Sequence, residues 1–244
     1  MKFEYALATH QGSRERNEDR IRCFQCAGNT VAVVADGMGG HGDGDLAAEE
    51  VVNTIEKCFK IHPVITEDNI IDIMDAANQN VVAMQTQGKN MRATVVALFI
   101  SEERMIVAHA GDSRMYAVNG YKTLYRTKDH SVTQMAVNVG EISEKGRKYS
   151  ADRNRVLKSM GNKEFKISLH VLNGKERKAK GYILCTDGFW EHFEDRDIRR
   201  ALRRAKNNPQ LWIDNMIKKI EKETGDNQDN YSAITLMKRR AKDE

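Results

Sequence analysis

The apolar positions of this chain follow two patterns. Short runs recur at Phe3–Ala8, Val31–Ala35, Val95–Ile100, Met105–Ala110, Met115–Val118, Tyr182–Thr186 and Tyr231–Met237, and each reads as a strand. Several, such as Val31-Ala32-Val33-Val34-Ala35, are apolar without a break, which predicts strands covered on both faces. Gly-Asp-Ser-Arg separates Met105–Ala110 from Met115–Val118, and Asn119-Gly120 predicts a tight hairpin turn before Tyr121–Tyr125. Elsewhere the apolar residues recur at the helical period. Ala48, Val51, Val52, Ile55 and Phe59 mark one face of a helix over Leu46–Phe59. Ile70, Ile73, Met74, Ala77, Val81 and Met84 do the same over Asn69–Met84. Two more helices are predicted over Asp195–Lys206 and Leu211–Thr224, parted by Pro209, with Gly225 as the final stop.

Strands thus come in clusters and helices in pairs. That predicts an α+β fold with a layered sheet core and helices outside, rather than alternating βαβ units. No repeat and no linker rich in Pro, Gly or Ser divides the chain, so residues 1–244 read as one domain. Ser131–Asp152 is polar, lacks a clean period and reads as a long loop or flap. The basic tail Lys238-Arg239-Arg240-Ala241-Lys242 reads as solvated.

Composition adds mainly exclusions. The chain is 40% hydrophobic and 30% charged, as globular chains are. Its 39 Lys and Arg face 35 Asp and Glu, and a net +4 with the signs mixed is no nucleic-acid binder's balance. No apolar run approaches the roughly 18 residues of a membrane span. The start Met1-Lys2-Phe3-Glu4-Tyr5 lacks the apolar segment of a secretory signal, so the expected compartment is the cytoplasm. Cys23 and Cys26 form a C-x-x-C without the second close pair of a structural zinc site. They read as strand residues, with a redox pair as the alternative.

The placing of the aspartates carries the chemistry. Asp36 follows Val31–Ala35 and Asp187 follows Tyr182–Thr186, each with a glycine next, Gly37 and Gly188. Asp112 sits in Gly111-Asp112-Ser113-Arg114, Asp229 precedes the last strand, and Asp19 closes Asn17-Glu18-Asp19. Carboxylates held at strand ends and brought together make a hard-oxygen site suited to Mg²⁺ or Mn²⁺. Adjacent glycines would let an ion or ligand approach the backbone closely. Without a metal, mutual repulsion would raise some of the carboxyl pKa values. Arg14, just before Glu18 and Asp19, offers a guanidinium fork for a phosphate, or is a surface arginine beside Arg16 and Arg20. Gly37-Met38-Gly39-Gly40-His41-Gly42 fits G-x-G-x-x-G, but Asp36 would repel a pyrophosphate and Ile61–Ile65 makes a poor second parallel strand.

Six short motifs in order resemble the PPM family, the metal-dependent type 2C serine/threonine protein phosphatases, in its bacterial branch. They are Gly12-Ser13-Arg14…Asn17-Glu18-Asp19, Val34-Ala35-Asp36-Gly37-Met38-Gly39-Gly40-His41, Gly111-Asp112-Ser113-Arg114, Lys128-Asp129-His130-Ser131, Cys185-Thr186-Asp187-Gly188 and Asp229-Asn230-Tyr231-Ser232. The resemblance implies a four-layer α-β-β-α sandwich, two antiparallel sheets face to face with helix pairs outside. It implies that Asp36 bridges two metal ions, with the Gly37 carbonyl on one and Asp187 and Asp229 on the second. It implies that Glu18 and Asp19 hold metal-bound water from the outer shell, that Asp112 with Asp187 holds a third, weaker ion, and that Arg14 binds the substrate phosphate. The activity implied is hydrolysis of phosphoserine and phosphothreonine in proteins by a water bridging two Mg²⁺ or Mn²⁺ ions, with no phosphoenzyme. The implied setting is signalling opposite a Ser/Thr kinase, by a monomer.

Some positions depart from the family pattern. Arg92-Ala93-Thr94 keeps one threonine of a Gly-Thr-Thr and loses the glycine, and only Asp152-Arg153-Asn154-Arg155 follows the flap. Met38 stands where animal and plant members carry a histidine proposed as general acid, which leaves His41 as a candidate beside a structural role in its turn. Two rival classes are a phosphoprotein-binding module without turnover, against which the intact Asp36, Asp187 and Asp229 argue, and a two-metal nuclease, against which the scattered basic residues argue.

Overall fold

The structure is a computed structural model, and it describes residues 3–39, 43–85, 90–223 and 227–239. His41, Gly225 and residues 240–242 of the basic tail lie outside the described residues. Its strands are β1 Phe3–His10, β2 Asp19–Cys26, β3 Asn29–Met38, β4 Arg92–Ala93, β5 Val95–Ile100, β6 Met105–Ala110, β7 Arg114–Val118, β8 Thr123–Arg126, β9 Ser168–Val171, β10 Gly181–Cys185 and β11 Tyr231–Lys238. Its helices are α1 Gly44–Ile61, α2 Glu67–Met84, α3 Val132–Asn138, α4 Asp187–Trp190, α5 Asp195–Arg204 and α6 Pro209–Glu223. Among the described residues no helix is long and apolar enough to cross a membrane.

The strands form two antiparallel sheets. One runs β1-β11-β10-β7-β8 and the other β2-β3-β5-β6-β9, with β4 paired to the end of β3. The unbroken apolar strands are explained by the layers they separate. In β3, Ala32 and Val34 point into the core between the sheets, while Val31, Val33 and Ala35 point at α1 and α2. In β10, Tyr182 and Leu184 join the central core, while Ile183 and Cys185 meet α5 and α6. Alternate residues of a strand face opposite sides, so a strand with a layer on each side must be apolar throughout. The result is the expected four-layer α-β-β-α sandwich. The C-x-x-C obeys the same rule: Cys23 packs on the central core and Cys26 on the helix-facing core. Side chains on opposite faces of one strand cannot meet, so the redox pair is ruled out, and all four cysteines are free.

Beyond the short elements β4, β9 and α4, which the sequence pattern does not predict, two segments differ in form from the expectation. The hairpin turn takes residues 119–122, because Asn119 Oδ1 accepts from the amides of Tyr121 and Lys122 at 3.0 and 2.8 Å and Gly120 has φ +90°. The following strand therefore starts at Thr123 rather than Tyr121. The segment read as a loop, Ser131–Asp152, contains α3 and a 3-10 turn at Glu144–Tyr149. Ser131 and Ser143 cap them by accepting from the amides of Gln134 and Gly146. Their buried side chains are Thr133, Gln134 and Arg147, which leaves no apolar period to read.

Ile55, fully buried where α1 packs on α2 and β3, tests the helix layer. Ile55→Ala is expected to cost roughly 2–5 kcal/mol in urea unfolding. A change below about 1 kcal/mol would contradict this packing.

Candidate active site

The strand ends of both sheets meet around a cavity of about 490 Å³. Asp36, Asp112, Asp187 and Asp229 all line it, with Glu18, Gly37 and Arg14. Asp19 stands behind them, 3% exposed, directly opposite Asp36 in the β2–β3 register. Asp36 lies inside β3 rather than after it, since Gly37 and Met38 continue the strand by pairing with β4. Met38 is also on the cavity wall.

Local bonds fix the backbone of Asp36 and the carboxylates of Asp187 and Asp19. The backbone of Asp36 is held twice by Thr94: its carbonyl accepts from the Thr94 amide at 2.8 Å, and its amide donates to the Thr94 hydroxyl at 3.3 Å. That is the role of the one threonine retained in Arg92-Ala93-Thr94, whose hydroxyl also meets the Ser113 hydroxyl beside Asp112 at 2.7 Å. Asp187 accepts from the Gly188 amide at 2.6 Å. Asp19 accepts from the Thr186 hydroxyl at 3.0 Å. Asn230 ties the loop before β2 into the site, accepting from the Glu18 amide and donating to the carbonyls of Gln11 and Arg16.

The glycines beside the aspartates also let the chain close on itself. A Cβ on Gly37 would lie 2.1 Å from the Gly44 carbonyl oxygen at the start of α1, and one on Gly188 would lie 2.1 Å from the Asn230 carbonyl oxygen. The space is taken by neighbouring backbone, so these glycines let chain segments close over one another at the site. Gly37 also keeps its place on the cavity wall.

The electrostatics are those of crowded acids. Burial pushes the Asp36 carboxyl well above the usual range, and Asp187, Asp19 and Asp112 push it further. Burial and then Asp187 raise Asp112 in the same way. Burial and then Asp229 raise Asp187. Asp19 is pushed up to about 7, mostly by burial, although hydrogen bonds from Ser232 and Thr186 pull it back. Glu18 is raised by burial and by Asp45. Asp229 has found a counter-charge: Arg14 grips it through two bonds of 2.8 Å. The residues expected to bind phosphate and metal are therefore joined to each other, as the guanidinium is the cation within reach of this carboxylate.

Among the described residues no three of these groups close around one point as a finished cage. The donor set nevertheless fits a hard divalent cation. It is all oxygen, it is rigidly held, and Asp36, Asp112 and Asp187 have burial and mutual repulsion that a cation would relieve. Sequence reading missed Asp129, buried between Arg114 and Arg147, and Trp190, whose indole donates to the Asp112 carbonyl at 2.9 Å. Asp129 was visible inside Lys128-Asp129-His130-Ser131, but nothing in the spacing paired it with arginines. Arg114, adjacent in sequence to the Asp112 turn, pairs with Asp129 instead of Asp112.

The family model described as "Protein phosphatase 2C" matches residues 8–228. The chain belongs to the protein phosphatase 2C family. Among relatives of this phosphatase, serine/threonine phosphatase stp of Listeria monocytogenes serotype 4b is 26% identical over 199 residues, 78% of this chain and 79% of that protein. The serine/threonine protein phosphatase PstP of Mycobacterium tuberculosis is 26% identical over 206 residues, 82% of this chain and 39% of that protein. The crystal structure of serine/threonine phosphatase Stp1 from Staphylococcus aureus superposes with TM-score 0.87 at 23% identity, covering 98% of this chain and 96% of that one. The catalytic domain of PstP in complex with two manganese ions superposes with TM-score 0.78 at 22% identity, over 96% and 97% of the chains. The phosphatase thus has the fold its motifs imply.

The raised carboxyls give the metal-free phosphatase a signed pH dependence. A carboxyl whose folded pKa exceeds its unfolded value of about 4 stabilises the fold below that value and loses the contribution as pH rises through the folded pKa. For Asp19 the window ends near about 7. Carboxyls held low, such as Glu56 beside Lys60 and Arg22, are already ionised in both states there. His109, His130 and His192, held low by burial, act in the opposite sense as pH rises towards about 6.5. They are common to wild type and Asp36→Asn, so in chelator the melting temperature is expected to fall more between pH 5 and pH 8 in wild type than in Asp36→Asn. The same pH profile in both would contradict the crowding.

Proposed function

We propose that this chain hydrolyses phosphoserine and phosphothreonine in proteins, with Mn²⁺ or Mg²⁺ held by the carboxylates of the cavity. The observation that carries the reading is the convergence of Asp36, Asp187 and Asp229 with Arg14 at one cavity in a chain of this family. Asp36 and the Gly37 carbonyl would hold one ion, and Asp36, Asp187 and Asp229 the second. Glu18 and Asp19 would act from behind through water, and Asp112 with Asp187 would take a third, weaker ion. Bound there, the ions supply a hydrolytic water of lowered pKa and neutralise phosphoryl charge.

The chain's own residues supply position. Asp36 is fixed by the Thr94 clamp and Asp187 by its glycine amide, so the donors need little rearrangement. Arg14 is exposed and, among the described residues, its guanidinium is gripped through Asp229; once that carboxylate serves a cation, its fork is free to hold two phosphoryl oxygens. All four cysteines pack in the cores, which supports direct attack by water over a thiol-linked intermediate. The reading includes one domain over residues 1–244, a monomer in the cytoplasm, and phosphoprotein substrates supplied by a Ser/Thr kinase.

The test is turnover of phosphoserine, phosphothreonine and phosphotyrosine peptides with Mn²⁺ and with excess chelator. Activity on the first two that vanishes with chelator is expected; full activity in chelator would refute the metal role. Asp36→Asn and Asp187→Asn should each lower kcat by on the order of a thousandfold, about 4 kcal/mol, with the fold kept. Arg14→Ala should cost about 1.5–3 kcal/mol in kcat/KM on a small aryl phosphate, whereas an idle surface arginine would cost nothing measurable.

A further inference from the structure

Two loops of the site meet on Gln228, the residue just before Asp229, which is buried at 8% exposure. Its backbone amide donates to the Ser13 hydroxyl at 3.1 Å, and its carbonyl accepts from the Ser13 amide at 2.8 Å. Gln228 is thus laced to the neighbour of Arg14. Its side chain runs the other way. Nε2 donates to the Gly188 carbonyl at 3.1 Å, next to Asp187, and Oε1 meets His192 Nε2 at 3.1 Å, just after α4. A carbonyl can only accept, so Gly188 fixes which end of the Gln228 amide carries the hydrogens, and Oε1 is left to accept from His192. The loops are also pressed together. Gly12 takes a φ of +62°, and a Cβ there would lie 2.5 Å from the Gln228 carbonyl oxygen.

We propose that Gln228 is a positioning residue that sets Arg14 against the carboxylates of Asp187 and Asp229, and so places the phosphate fork relative to the cations. The proposal rests on the phosphatase reading of the cavity. The two sides of this bridge differ in stiffness. On one side the Asp187 turn is built into the sandwich: the Thr186 amide donates to the Ser232 carbonyl in the sheet, and Gly188 lies against the Asn230 carbonyl. On the other side residues 11–16 form an exposed loop. Asn230 holds its ends through the carbonyls of Gln11 and Arg16, and Gln228 holds its middle through Ser13. Arg14 grips Asp229 in this structure, but that grip ends once Asp229 serves a cation. Among the described residues, Ser13–Gln228 is then the tie between the middle of the loop and the rest of the site. Gln228→Met keeps the backbone bonds to Ser13 and most of the side-chain volume, but lets go of Gly188 and His192. The Gly188 carbonyl loses a partner, so some stability goes as well. The specific cost should fall on the Arg14 fork and not on cation binding, because Asp187 keeps its own bond from the Gly188 amide.

The test is a double-mutant cycle of Gln228→Met with Arg14→Ala, on a small aryl phosphate with Mn²⁺. Gln228→Met should lower kcat/KM about tenfold in the wild-type chain. In the Arg14→Ala chain it should cost less than about twofold, since the fork it places is gone. Mn²⁺ affinity by calorimetry should stay within about twofold of wild type. Gln228→Glu keeps the shape and the bond from His192 but turns a carboxylate oxygen towards the Gly188 carbonyl, so it should lose as much activity. It carries the cycle alone should Gln228→Met fail to fold. A second readout needs neither metal nor turnover. In the metal-free protein the Ser13 amide should exchange its hydrogen about tenfold faster in Gln228→Met, while the Thr186 amide, bonded to Ser232 at 3.1 Å, keeps its rate within about twofold. Losses that multiply across the cycle, or exchange that quickens equally at Ser13 and Thr186, would make Gln228 a stabilising residue only and overturn the proposal. Full kcat/KM in the Gln228 variants, beside a wild type that turns over and an Arg14→Ala that does not, would overturn the proposal and leave the phosphatase reading standing. A wild type that leaves both aryl phosphate and phosphopeptides intact would overturn that reading and the role of Gln228 with it.

Discussion

Like charges crowded at one end of a β-sandwich are the constraint on which the rest of this molecule turns. Asp19, Asp36, Asp112 and Asp187 are pressed together where burial raises every one of their pKa values. No fold gathers acids in this way for stability, because each must either take up a proton or repel its neighbours. The surrounding structure keeps them in place despite that cost. Thr94 clamps the backbone of Asp36, Thr186 bonds Asp19, and Asn230 laces the loop before β2 to the start of β11. Gly37 and Gly188 let the backbone of Gly44 and Asn230 close over the site. Among the described residues, the cation that grips a carboxylate here is Arg14, and it answers Asp229 at the cluster's edge.

That edge pair has a consequence for function. Arg14 and Asp229 cannot be spent on each other and also serve phosphate and metal. Their ion pair is exposed, with 60% and 44% of the side chains accessible, so solvent screens it and little holds it. A divalent cation beside Asp187 would compete for Asp229 with twice the charge and release the guanidinium next to where a phosphoryl group would bind. Cation and substrate sites would then be assembled together, an economy available because both residues sit on loops anchored by Ser13 and Gln228.

Much of this was legible in the sequence. Apolar runs alternate faces without losing hydrophobicity only in strands covered on both sides, and β3, β5 and β10 show it plainly. Aspartates at the ends of such runs marked the site, and the order of motifs marked the family. Other features depend on distance in space and left no local trace. Ser168–Val171 is a short half-buried edge strand whose Ser168 and His170 break the apolar pattern. The segment 131–152 packs through Arg147 and Gln134 instead of an apolar stripe, so its helices look like a polar loop. The union of Asp129 with two arginines spans 15 and 18 residues, beyond any periodic signal. The glycines could be seen, but the backbone filling the space beside them could not.

The central claim is that these carboxylates are the ligands of divalent cations. Anomalous diffraction from crystals grown with Mn²⁺ tests it most directly, since manganese is located without reference to any assumed ligand. The account predicts two strong peaks in the cavity, both within bonding distance of Asp36, one also reached by Asp187 and Asp229, with Arg14 no longer on Asp229. Crystals in saturating Mn²⁺ that show no anomalous peak among these carboxylates, and Arg14 still paired with Asp229, would contradict it.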